Sequence, residues 1–261
     1  MNDDNSTELV LIDFREGICL IRFNRPGKKN ALNNEMYAAV VEAFRRADDD
    51  EGIRVIMITG TQECFTSGND LAEFLASQRA GEPSPVMLFL AAISEARKPV
   101  VAAVQGNAVG VGVTMLLHCD LVFAGRSALF QMPFVNLGLC PEAGSTLLLP
   151  LLMGHQRAAE LLLLGGPFPA EAAREAGIVN AVLPDDEVIE MSMAKARQLA
   201  NQPPAAVRLA KSLLKREYAA SLRETIAYEG KHFRDLLKSP EAMEAFTAFM
   251  EKRKPDFSKC I

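Results

Sequence analysis

The chain carries no excess of positive charge. Its 261 residues include 28 Lys and Arg against 33 Asp and Glu, a formal net charge of −5. A general nucleic-acid binder needs a basic footprint, and this balance does not supply one. There is no CxxC pair: Cys19, Cys64, Cys119, Cys140 and Cys260 stand apart in apolar flanks. That pattern points to small core thiols in a reducing, intracellular compartment. No apolar run reaches the length that crosses a bilayer. The longest, "STLLLPLLMG", is broken by Pro150. The acidic "MNDDNSTELV" is not built like a secretory leader, and "FSKCI" matches neither a prenylation box nor a peroxisomal tripeptide. The expectation is a cytoplasmic protein that binds neither membrane nor nucleic acid.

Several catalytic signatures are missing as well. "QGNAVGVGVT" (105–114) is not GxGxxG and lacks the Lys-Ser/Thr ending of a phosphate-binding loop. No GxSxG elbow occurs, which disfavours a serine hydrolase. No HExxH, paired Cys/His or carboxylate cluster suggests a metal. Histidines are sparse: His118, His155 and His232. His118, in "MLLHCD", reads as a core or helix-end residue rather than a base.

What is present suffices for one large domain or a domain with an appendage. Hydrophobic residues make up 49% of the chain and charged ones 23%. "ELVLIDFREGICLIRFNRP" alternates about Glu16-Gly17 and predicts a hairpin. A helical pattern follows from Asn33, a plausible cap. "VIMITG", "KPVVAAVQG" and "LVFAG" predict buried strands; "DLAEFLASQRA" and "VMLFLAAISEAR" predict helices. "GVGVTMLLHCD" is a small-residue turn leading into a helix. Strand and helix alternate with short links, so the class is α/β. After Pro184 the texture becomes helical and highly charged, with no strands. The division expected is a core over 1–191 and a helical region over 192–261.

Three stretches could carry chemistry. "CFTSGNDLAEF" (64–74) and "QGNAVGVGVT" each place small residues between a strand and a helix. Either is a tight turn, with Asp70 capping the helix in the first, or a source of free backbone amides. Two such turns together suit an oxyanion hole, which is commonly built from donors on different segments. "FNRPGKKNALN" (23–33) puts Arg25, Lys28 and Lys29 in one turn near Arg22. It is a solvated basic loop or a phosphate-binding cluster. Last, "FVNLGLCPEAGSTLLLPLLMG" (134–154) isolates one carboxylate, Glu142, among apolar and turn residues. It could favour a helix start through the helix dipole, with Pro141 at the first position. In an apolar pocket it would instead have a raised pKa and could take and return a proton near neutral pH.

In this order, "LIRFNRPGKKNALN", "ECFTSGNDLAEF", "KPVVAAVQGNAVGVGVTMLLHCDLVFAGRSALFQMPFVNLGL" and "GGPFPAEAAREAGIVNAVLP" resemble the crotonase family, the enoyl-CoA hydratase/isomerase superfamily. The match spans nearly the whole chain. It implies an α/β crotonase (ClpP-like) spiral of repeated ββα units, with a C-terminal helical trimerisation region. It implies acyl-CoA ligands, no cofactor beyond the coenzyme A thioester substrate, and a homotrimer or dimer of trimers.

By the same resemblance, the backbone N–H groups of Asn69 and Val111 form the oxyanion hole. Val111 departs from the family's common glycine. Lys28 and Lys29, beside Arg25, would meet the CoA phosphates. Asn30, Ala31 and Leu32 would line the adenine and pantetheine path, and Ser67, Gly68, Asp70 and Leu71 would run along the same ligand. Gly110, Thr114, Phe134, Leu137 and Pro141 would complete the substrate wall.

The departures bear on the reaction. Hydratases of the family use two glutamates; the matching positions here hold Thr114 and Phe134. Glu142 instead stands where hydratases usually carry glycine, which resembles the Δ3,Δ2-enoyl-CoA isomerases, including the peroxisomal type. The expected activity is transfer of a 3-enoyl-CoA double bond to the 2-position by Glu142 alone. The alternatives are a hydratase or other acyl-CoA enzyme of the superfamily, and a non-catalytic acyl-CoA binding subunit.

Overall fold

A computed structural model describes residues 8–71, 73 and 84–260. The predicted hairpin forms from β1 (Val10–Arg15) and β2 (Ile18–Phe23), paired antiparallel about Glu16-Gly17. Helix α1 (Asn34–Asp49) starts where Asn33 caps it, the side chain accepting from Met36 N at 3.0 Å. Strand β3 (Val55–Thr59) is buried along its whole length. The helix predicted over 70–80 lies largely outside the described residues. Helix α2 (Pro85–Ser94) follows, with Pro at its start.

From β3 onward the chain winds between two sheets. Strands β3, β5 (Val100–Val104), β7 (Leu121–Gly125) and β10 (Ala181–Leu183) join β2 and β1 in a six-stranded sheet of order β1-β2-β3-β5-β7-β10. The strands that follow or precede them, β4 (Cys64–Thr66), β6 (Asn107–Val109), β8 (Leu129–Gln131) and β9 (Pro167–Pro169), form a four-stranded sheet of order β4-β6-β8-β9. β3-β4, β5-β6 and β7-β8 each put one strand in each sheet. This is a spiral of strand pairs, with parallel neighbours in both sheets.

The period-2 geometry of strands explains the burial. On β3, Ile56 and Ile58 face the main core with Phe65, Ala102 and Val104, while Val55 and Met57 face a second core. That second core is closed by Val188, Met193 and Ala196 of a helix spanning Val188–Ala200. Fully burying such side chains stabilises by about 1.5–3 kcal/mol each. Position 191, where the sequence suggests a boundary, thus falls inside a helix packed on the large sheet. No strand follows β10 among the described residues. The later helices span Pro204–Lys215, Ala219–Leu236 and Pro240–Met250.

Candidate active site

Two turns of backbone meet at the edge of the small sheet. In the first, Leu32 N–H donates to Gly68 O and Asp70 N–H donates to Leu32 O, both at 2.8 Å. Leu32 thus bridges Asn69 in parallel fashion, and the Asn69 N–H faces away from it. In the second, Gly110 N–H donates to Gln131 O at 2.8 Å, and the N–H groups of Val113 and Thr114 fold back on Gly110 O. Val111 opens a short helix, α3 (Val111–Thr114), so its own N–H has no acceptor within the helix. Neither amide donates to a backbone acceptor among the described residues.

Glycine makes this meeting possible. Gly68 has φ +91°, and a Cβ there would stand 2.9 Å from Val109 O. A Cβ on Gly112 would reach 2.6 Å from the Thr66 methyl. The end of β4 and the start of α3 are therefore pressed together. Asn69 and Val111 line one cleft of about 860 Å³.

A narrow cavity adjoins that cleft through Asn69 and contains Glu142. Met87, Leu90, Ile226 and Phe233 supply its apolar walls. Glu142 is 7% exposed. Burial pushes its carboxyl up from 4.5 to about 7; a hydrogen bond from the Thr114 hydroxyl pulls the other way, and the Glu229 carboxylate adds to the rise. Thr114 Oγ1 donates to Glu142 Oε1 at 2.6 Å.

The residues that follow Glu142 are left-handed: Ala143 at φ 62° and Gly144 at φ 72°. Helix α4 (Ser145–Met153) begins only after them, so Glu142 sits in a turn rather than in the helix. His118 Nε2 lies 2.8 Å from Ala143 O. A carbonyl only accepts, so that nitrogen carries the proton. Burial lowers the His118 ring to about 4 and keeps it neutral. His118 is thus a core residue, as the sequence indicates, with the added work of bracing this turn.

Most of the residues expected to bind ligand converge on the cleft. Lys28, Lys29, Ala31, Ser67, Gly68, Asn69, Asp70, Leu71, Gly110, Val111, Phe134 and Leu137 all line it. The structure places others elsewhere. Arg25 Nη1 donates to Asp70 Oδ2 at 2.8 Å and to Ala31 O at 2.9 Å, so it ties the basic loop to the first amide turn instead of facing a ligand. Asn30 is fully buried; its amide donates to Cys64 O at 2.7 Å and its Oδ1 accepts from Arg25 N at 2.8 Å. Leu32 belongs to the core at 3% exposure. Pro141 is half-buried and lines neither space. Thr114 sits behind Glu142 as its hydrogen-bond donor.

Residues the sequence does not single out also build the site. Tyr37 on α1 donates from its hydroxyl to Asn69 Oδ1 at 2.5 Å. Phe246, Phe249 and Met250 of the helix Pro240–Met250 close one side of the cleft. Glu229, on the helix Ala219–Leu236, accepts from Gly144 N and Thr146 N at 2.6 and 3.0 Å. In the sequence these lie in helical, amphipathic stretches with no signal that separates them from ordinary packing.

Comparison with known proteins agrees with this fold. The family model described as enoyl-CoA hydratase/isomerase matches residues 13–259. The 2,3-dehydroadipyl-CoA hydratase of Escherichia coli (strain K12) is 34% identical over 249 residues, covering 95% of this chain and 98% of that protein. Enoyl-CoA delta isomerase 2 of Rattus norvegicus is 33% identical over 250 residues, 94% of this chain and 64% of that protein. The solved structure of Pseudomonas aeruginosa OdaA superposes with a TM-score of 0.91 at 48% identity, covering 94% of this chain and 99% of that one. With a buried acid, a paired-amide cleft and a matching spiral in one chain, the protein belongs to the enoyl-CoA hydratase/isomerase family.

Proposed function

We propose that the protein is a Δ3,Δ2-enoyl-CoA isomerase working with one proton carrier, Glu142. The observation that carries this reading is that Glu142 is the one carboxylate, among the described residues, lining the narrow cavity beside the paired amides, with Thr114 and Phe134 where the family's hydratases bear glutamates. Hydration needs a water held and deprotonated at C3 and a proton delivered at C2, a task suited to two polar groups. Moving a double bond from C3 to C2 needs no water.

With the thioester oxygen between the N–H groups of Asn69 and Val111, ionised Glu142 takes a proton from C2. The electron pair delocalises over C2–C4 and the thioester oxygen as a dienolate. The same carboxyl then returns the proton at C4, leaving the 2-enoyl thioester and an ionised Glu142. Each oxyanion donor is worth about 3 kcal/mol. Acid–base work by a positioned carboxyl adds roughly 10²–10⁴-fold. A pKa of about 7 suits a group that both takes and gives a proton near neutrality. Phe134 and Leu137 keep the cleft wall apolar and disfavour water.

Coenzyme A enters as part of the substrate, with Lys28 and Lys29 at its phosphates. The reading includes a homotrimer or dimer of trimers, supported by the apolar surface that Leu151, Leu163, Leu164 and Leu214 expose at 64%, 68%, 67% and 78%.

The similarity to the E. coli 2,3-dehydroadipyl-CoA hydratase favours a second reading, hydration of a 2-enoyl thioester. Incubation with 3-hexenoyl-CoA and with 2-hexenoyl-CoA separates the two. The isomerase reading expects 2-enoyl product from the first, abolished by Glu142→Ala. A 3-hydroxyacyl thioester formed faster than the isomerised product would replace it with the hydratase reading.

A further inference from the structure

We infer that Glu229 is a positioning residue: its buried carboxylate clamps the left-handed turn after Glu142 and so aims Glu142 into the cavity. The inference rests on the reading of Glu142 as proton carrier.

Glu229 is 5% exposed and pairs with no cation among the described salt bridges. An unpaired buried carboxylate is costly unless hydrogen bonds compensate it. Here they come from one place. Glu229 Oε2 accepts from Gly144 N–H at 2.6 Å, while Oε1 accepts from Thr146 N–H at 3.0 Å and from the Thr146 hydroxyl at 2.5 Å. Burial pushes the Glu229 carboxyl above its ordinary value, and the bonds from Thr146 and Gly144 oppose that rise; with both oxygens meeting N–H donors, the arrangement fits the carboxylate rather than the acid. These donors lie at the start of α4, whose first amides lack intrahelical acceptors.

The clamp acts on the backbone of Glu142. Ala143 and Gly144 both hold positive φ, and a non-glycine residue there is strained. His118 holds the Ala143 carbonyl from one side and Glu229 holds the Gly144 amide from the other. A Cβ on Gly144 would meet Leu222 Cδ1 at 2.3 Å, so the helix carrying Glu229 lies hard against the turn. The same helix presents Ile226 and Phe233 to the cavity. One element thus shapes the space and sets the acid within it.

The charge has a second effect. The groups facing Glu142 are Thr114, Tyr37 from α1, Cys140 from its own loop, and Glu229 and Arg234 from the helix Ala219–Leu236. Burial pushes the Tyr37 hydroxyl well above its ordinary range and the Cys140 thiol to about 11, so both stay neutral near pH 7. Behind Ala143, His118 is neutral too. Glu229 is the anion that favours the protonated form of Glu142, second to burial itself.

The test compares wild type with Glu229→Gln. Two readouts are used: the pH profile of 3-hexenoyl-CoA isomerisation, and the titration of the Glu142 carboxyl by infrared difference against Glu142→Gln. A glutamine cannot accept from both N–H groups, so the turn loosens and the charge disappears. The expected result is a kcat lower by about 10²-fold through misplacement, an unchanged KM, and a Glu142 titration moved to lower pH. A kcat that stays at the wild-type value, or a titration that stays in place, overturns the inference. If Glu229→Gln does not fold, Thr146→Val removes the hydroxyl donor alone. It is expected to lower kcat about two- to tenfold, the worth of one hydrogen bond, and an unaltered kcat overturns the clamp. Turnover retained by Glu142→Ala would sink the proton-carrier reading instead, while the infrared titration still reports on Glu229.

Discussion

The Thr114 hydroxyl donates to Glu142 Oε1 at 2.6 Å, both groups buried between α3 and the turn that precedes α4. This bond joins the second amide turn to the acid. It also opposes burial, which raises the pKa of Glu142 to about 7.

Removing the donor therefore moves the acid further up. In Thr114→Val the pKa of Glu142 rises, because the bond that favours its ionised form is lost. On the proposed isomerase reading, Glu142 must be ionised to take a proton from C2. Activity should thus fall as pH drops through about 7 in the wild type, and the variant should lose activity at higher pH than that. A pH profile of kcat/KM checks the direction, which is opposite to that expected for Glu229→Gln.

Stability should carry the same signature. The folded pKa of Glu142 lies above its ordinary value of 4.5, so the folded state binds the proton more tightly. The contribution is fully present below about pH 4.5 and is lost as pH rises through about 7. The loss is on the order of 3 kcal/mol. Glu142→Gln cannot ionise and should escape it. Urea unfolding of both proteins at acidic and alkaline pH measures the difference, and parallel curves would contradict a buried, raised carboxyl.

Gly68→Ala should separate the paired amides. The new Cβ would stand 2.9 Å from Val109 O at a φ of +91°. Strain of this kind costs about 1–3 kcal/mol. The midpoint of unfolding should drop, and on the proposed reading kcat for 3-hexenoyl-CoA should fall with it, because the two donors would no longer share one oxygen.

Lys28→Glu should weaken binding of coenzyme A thioesters, and the salt dependence of the remaining affinity should flatten. Isothermal titration at low and high salt tests this. Arg25→Gln is expected to act differently. Its guanidinium is held by Asp70 and Ala31 O, so the variant should lose stability and leave the salt dependence unchanged.

How far the sequence leads differs from element to element. The hairpin about Glu16-Gly17, the Asn33 cap and the buried run Val55–Thr59 were legible because each depends on neighbours within a few residues. Period and capping chemistry are local. Arg25 reads identically to Lys28 and Lys29 in "RPGKKN", yet its partner Asp70 is 45 residues away. Glu229 looks like one more charge on an amphipathic helix, although 85 residues separate it from the Gly144 amide it holds.

From residue order alone came the alternation of strands and helices, the two small-residue turns and the lone acid in an apolar stretch. Strand and helix periods, turn chemistry and desolvation are properties of short segments. Tertiary structure decided which amides stay unpaired, which cation faces the cleft, and which buried groups hold Glu142 in place. Hydrogen-bond partners and electrostatic neighbours are set by proximity in space, and the spiral brings distant residues together in ways no short segment encodes.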